Sequence, residues 1–171
     1  MISRNFTTVG AAALAVLACA EPTAPPLPYG VLSSFEAPNH QIVGAGHVEQ
    51  TTGMREFTFH ALEHPDGSAQ GSFKVVLPNG LFFEADVTCL AVTGNTGWVG
   101  GLIRASNAAV VIIGSVSTFY VIDNGEGSGA PADIVSIATF NGAAGADAAF
   151  CAARPLALPP LTVTQGNVQV R

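Results

Sequence analysis

Three successive runs in which apolar and polar residues strictly alternate, separated by tight-turn signals, constrain this chain more than anything else in it. Phe57, Phe59 and Ala61 alternate with Glu56, Thr58 and His60. Phe73, Val75 and Leu77 alternate with Ser72 and Lys74, and Leu81, Phe83, Ala85 and Val87 with Glu84, Asp86 and Thr88. A period of two sends one set of side chains to each face of a strand; a helix would need a period of 3.6. His64-Pro65-Asp66-Gly67 separates the first two runs, with Pro at the second turn position and Gly at its close. Pro78-Asn79-Gly80 separates the next two, and Asn-Gly is the strongest short-range hairpin signal.

The pattern continues. Gly94-Asn95-Thr96-Gly97 turns the chain into Trp98 to Arg104, and Ser106-Asn107 turns it into a long apolar run from Ala109 to Ile122. Within that run Val110-Val111-Ile112-Ile113 is apolar on both parities, which predicts a central strand covered on both sides, bent or bulged at Gly114. Asp133 to Phe140 and Leu161 to Val170 are expected to be strands, and Ala143 to Ala153 at most a helical turn weakened by Gly142 and Gly145. The expected fold is all-β: an antiparallel meander of seven to nine strands over residues 39–171, closed into a small barrel or sandwich. That length can bury a core of its own.

Charge narrows the function classes. The chain has 6 basic and 12 acidic residues and a net charge of −6, and Lys74 is its single lysine, which excludes the clustered cations of a nucleic-acid surface. With 49% apolar residues and only 11% charged, it is neither a charged disordered tail nor a coiled coil.

The first 38 residues read as an address. Arg4 precedes an apolar stretch, Val9 to Ala18, too short to span about 30 Å of hydrocarbon as a helix. It ends in Val16-Leu17-Ala18-Cys19, which resembles the bacterial lipobox, in which the Cys is acylated and becomes the first residue after cleavage. Residues 1–18 are therefore expected to be a lipoprotein signal peptide and Cys19 the lipidation site, the alternative being an ordinary signal peptide with a chance Cys. Ala20, rather than Asp, after that Cys points to the outer membrane of a bacterial envelope, on a side the sequence leaves open. Four prolines between Pro22 and Pro28 favour an extended spacer, so residues 19–38 read as a Pro-rich tether. The implied partners are the membrane, through the anchor, and an envelope protein or polymer. Export also bears on sulfur: with Cys19 acylated, Cys89 and Cys151 remain, and an even remainder outside the cytosol predicts a disulfide rather than two buried thiols.

Several motifs together resemble a group of exported bacterial β-domains and are similar to the post-COAP type of domain. They are Gly44-Ala45-Gly46-His47, Val87-Thr88-Cys89-Leu90 with Trp98-Val99-Gly100-Gly101, Val121-Ile122-Asp123-Asn124-Gly125-Glu126, and Gly166-Asn167-Val168-Gln169-Val170. The resemblance covers nearly all of residues 42–170. It implies an exported β fold and no activity, cofactor or catalytic residue.

Chemistry-bearing constellations are few. His60 and His64 flank Glu63, but four residues of strand cover roughly 13 Å, too far for one ion. Asp123, Glu126 and Asp133 lie in a glycine-rich loop and offer the oxygen ligands that calcium takes; the competing reading is a long polar hairpin loop. Glu84 and Asp86 share one face of a strand at roughly 6–7 Å, near the spacing of a glycosidase pair, although wet-face strand residues show the same pattern. Three functions follow for test: a non-catalytic, lipid-anchored envelope domain with a binding or structural role; a small barrel holding an apolar molecule among Phe59, Phe73, Phe83, Trp98 and Ile112; and a hydrolase using Glu84 and Asp86.

Overall fold

A computed structural model of the chain describes residues 39–171; the stretches read as a signal peptide and a tether, with Cys19, lie outside the described residues. Eight strands run β1 His40–Gln50, β2 Gly53–Glu63, β3 Ala69–Val76, β4 Phe82–Thr93, β5 Thr96–Ser106, β6 Val116–Ile122, β7 Ile134–Ser136 and β8 Pro160–Val170. Each pairs antiparallel with the next, and β8 returns to β1, so the meander closes as a barrel. An eight-residue helix, α1 (Ala146–Ala153), lies in the connection between β7 and β8.

The alternating runs do what their period demands. Phe57, Phe59, Phe73, Val75, Phe83 and Ala85 all face inward and are buried. Phenylalanines fill the lumen: Phe119 stands 5.3 Å from a tilted Phe59 and edge to face with Phe73 at 5.0 Å, and Phe83 stands edge to face with Phe73 at 6.4 Å. Gly44 on β1 leaves room for the Phe59 ring, because a Cβ there would collide with it. Turns form at both expected places, each with its glycine at positive φ (Gly67 at 80°, Gly80 at 78°), the second as a longer connection over 77–81 in which Asn79 is not at positive φ.

A second, smaller core sits outside the barrel. Trp98 and Tyr120 pair across β5 and β6 on the outward parity and are covered by α1 and the segment after it. Trp98 Nε1 donates to the Pro155 carbonyl at 2.9 Å, and the Tyr120 hydroxyl donates to that of Leu158 at 3.1 Å. The disulfide Cys89–Cys151 ties α1 to β4 across 62 positions, with the Cα atoms 6.3 Å apart.

Three expectations are corrected. The strand expected through Val110–Ile113 is absent: residues 107–115 form a loop, and β6 starts only at Val116. The backbone there is held by a side chain instead of a neighbouring strand, since Asn141 accepts from the Ile112 amide and donates to the Val110 carbonyl, both at 2.8 Å. The strand expected over Asp133–Phe140 shrinks to Ile134–Ser136. Beyond it Thr139 and Gly142 still bond to β6 at Thr118 and Val116, as separate bridges. Finally, Trp98 and Ile112 do not line the interior: Trp98 faces outward under α1 and Ile112 is solvent-exposed.

Candidate functional site at the charge-free end of the barrel

The strand directions sort the connections between two ends. One end receives the starts of β1, β3, β5 and β7, the other their ends. The first carries His64, Asp66, Asp123, Glu126, Asp133 and the terminal Arg171. At the second, the turns 51–52, 77–81 and 107–115 contain no charged residue, and the fourth connection, 137–159, is uncharged as far as Gly145 and carries Asp147 and Arg154 on and just after α1; Glu49 and Glu56 flank the first turn on its strands.

That second end is also where large apolar side chains meet solvent. Val110 is 70% exposed, Ile112 and Ile113 61%, and Phe140 46%. This loop is pinned rather than loose. Besides the Asn141 clamp, the Ser115 hydroxyl donates to the Ile112 carbonyl at 2.6 Å, and Val111 packs back against the core. Asn141 itself sits at φ 62°, in the left-handed region that asparagine tolerates better than most residues. Phe140 extends the interior aromatic chain outward, its ring 6.4 Å from that of Phe83.

Arg55 occupies the mouth of the lumen at this end. It shares the inward parity of Phe57 and Phe59 and lies opposite buried Val48 on β1. The small pocket it lines is shared with Val75, Val135, Ala138 and Leu161 and holds no carboxylate, while Glu56 follows it on β2 and Glu49 stands beside its partner Val48 on β1. Among the described residues it has no ion-pair partner, and its buried Nε has no hydrogen-bond partner. Burial pushes the guanidinium pKa below its ordinary value. An uncompensated cation against apolar walls costs stability. Only its Nε is fully buried, so solvent screens much of that cost, and Arg55→Met should raise the stability of the domain by less than about 1 kcal/mol, read as a slightly higher urea midpoint at unchanged slope.

The space behind Arg55 is small. The enclosed volume is about 20 Å³, room for roughly one water and far below the hundreds of Å³ of a ligand pocket. The lumen is filled by its own phenylalanines, so an apolar ligand has no chamber there.

The carboxylates singled out in the sequence have structural partners. Glu84 and Asp86 do share the outer face of β4, but Arg104 bridges them at 3.2 and 3.0 Å, and Lys74 meets Glu84 at 3.0 Å. The hydrogen bond from Lys74 holds the Glu84 carboxyl below the usual carboxylate range, with Arg104 adding to it. A glycosidase acid needs the opposite shift.

Asp123, Glu126 and Asp133 converge on β8 rather than on a common point. Asp133 accepts from the Asn124 and Val168 amides at 2.9 and 2.8 Å, and Asp123 from the Gly125 and Val170 amides at 2.8 and 3.0 Å. Glu126 accepts from Asn167 at 2.6 Å and Gln169 at 3.3 Å. The loop's acids thus hold it to the last strand. Asp133 is itself buried, so Asp133→Ala strands two amides and should cost about 2–4 kcal/mol in denaturant unfolding.

His60 is exposed on the outer face, while His64 bonds to Gln70 at 3.2 Å. Among the described residues, no group of three or more His, Cys, Asp or Glu is placed to hold a metal ion, and no helix is long and apolar enough to cross a membrane.

The exposed loop was missed by sequence reasoning because its composition imitates a buried strand. One signal could have exposed it: Asn107 and Gly114 bracket only six residues. No family model, curated protein or solved structure matches the chain.

Proposed function

We propose that the chain is a lipid-anchored domain of the bacterial cell envelope with a non-catalytic binding role, exercised at the charge-free apolar end of its barrel. The observation that carries the reading is the pinned loop holding Val110, Ile112 and Ile113 61–70% exposed. A monomeric soluble surface rarely presents several large aliphatic side chains together unless something covers them. The lipobox-like Val16-Leu17-Ala18-Cys19 and the prolines after it support outer-membrane tethering, and the likeness to exported β-domains belongs to the same reading.

Metabolic labelling with an alkyne fatty acid tests the anchor. The wild-type chain should be labelled and recovered with the outer membrane, and Cys19→Ala should be neither. Labelling that persists in Cys19→Ala would place the acyl group elsewhere. The contact surface is tested with Ile112→Asp and Ile113→Asp combined, which should leave unfolding unchanged to within about 0.5 kcal/mol and abolish the domain's envelope contacts in crosslinking.

A further inference from the structure

We infer that the charge-free end of the barrel docks on a lipid bilayer, with Val110, Ile112 and Ile113 entering the interface and Arg55 receiving an anionic lipid phosphate. This rests on the anchored-envelope reading and names the partner of the same surface.

Charge is the first argument. Carrying an ionised side chain into the apolar layer is costly, and 51–52, 77–81, 107–115 and 137–145 contain none. The opposite end, with Asp66, Asp123 and Glu126, could not make the same approach. Complementarity is the second. Arg55 is the cation at the mouth of this end and is unpaired among the described residues, with an orphaned Nε. A guanidinium presents a planar fork that matches a phosphate, and anionic lipids supply phosphates at the depth where the apolar tip would come to rest. An arginine that only weakens the isolated fold is accounted for when an anion completes it.

Preorganisation is the third. Asn141 clamps the Val110 and Ile112 backbone, so little ordering entropy remains to be lost on contact. Reach allows the geometry. Strand β1 enters at the charged end, and the twenty residues from Cys19 to Pro38 span at most about 70 Å when extended. An eleven-residue strand is only about 36 Å long, so a chain acylated at Cys19 can still lay its far end on the same bilayer.

The test uses the full chain carrying an environment-sensitive dye at Ile112→Cys or, as a control at the charged end, at Asp66→Cys. Each is mixed with phosphatidylcholine vesicles, with and without phosphatidylglycerol, made from brominated acyl chains. The dye at 112 should shift to the blue and be quenched, and the dye at 66 should do neither. Phosphatidylglycerol should strengthen partition, and Arg55→Gln should cancel that gain, about fivefold. A dye at 112 that stays aqueous, or an anionic-lipid gain that survives Arg55→Gln, overturns the inference.

Flotation of the chain with the vesicles reads the anchor separately. Flotation with an aqueous residue 112 leaves anchoring standing and removes docking. Burial of residue 112 in the Cys19→Ala chain supports docking without the anchor. Shielding that occurs only on adding envelope proteins, and not with lipid alone, assigns the surface to a protein and overturns the bilayer.

Discussion

Gly166→Ala should destabilise the barrel by about 3 kcal/mol, because it strikes the seam where the last strand meets the first. Gly166 pairs with Gly46 across β8 and β1, and the register slips just beyond, between His47 and Val48. Its φ of 101° lies where side chains are strained. An added Cβ would also fall on the Ala45 carbonyl oxygen, and one at Gly46 would fall on that of Gln165. The strands approach this closely only because neither has a side chain there. A chemical-denaturation midpoint reads the loss. Hydrogen exchange should show it first in the amides of β1 and β8, since opening the seam turns a closed barrel into a sheet with two free edges. Unchanged exchange at Val168 and Gly44 would mean that another contact closes the barrel.

Replacing Cys89 and Cys151 together by alanine should cost about 4 kcal/mol and lower the melting temperature by roughly 10–15 °C. The bond spans 62 positions, so the unfolded chain regains much entropy when it is cut. The native state also loses the link between α1 and β4. What remains over the Trp98 indole is the bond to Pro155 and the packing of Phe150 and Leu158. The indole should become partly wetted, seen as a red shift of its fluorescence before the lumen unfolds. A melting temperature unmoved by reductant would remove the disulfide from the account of stability.

Legibility in the sequence followed the reach of the interactions. Phe57, Phe73 and Phe83 announced their strands because the period of two is local, and Asn79-Gly80 announced its turn because positive φ is a property of one residue. The pairing of Cys89 with Cys151 was legible by arithmetic alone. Val110–Ile113 was misread because apolar residues on both parities describe a doubly covered strand and a doubly exposed loop equally well. What separates the two is Asn141, some thirty residues away in sequence, whose side chain takes the backbone bonds that a neighbouring strand would have taken. Trp98 was misplaced for a related reason: its parity pointed outward, and only α1 packed over it makes that face a buried one.

Of the site itself, little was visible beforehand. Arg55 continues the inward parity of Phe57 and Phe59, and a charged residue in an inward row was a signal open to reading. Whether a carboxylate met it there depended on five other strands, β1, β3, β6, β7 and β8. The acids of the 123–133 loop had the opposite fate: their residue types suit a cation, yet each is satisfied by amides, four of the six on β8 and two within the loop.

The amino-acid order by itself determined the strands, their turns, the inward phenylalanine row and the sulfur pair, because these depend on near neighbours and on counting. Closure of β8 on β1, the filling of the lumen, the isolation of Arg55 and the gathering of the uncharged turns 51–52, 77–81 and 107–115 at one end were decided only by the folded chain. Each of them requires residues distant in sequence to arrive at the same place, and no local pattern encodes which will meet.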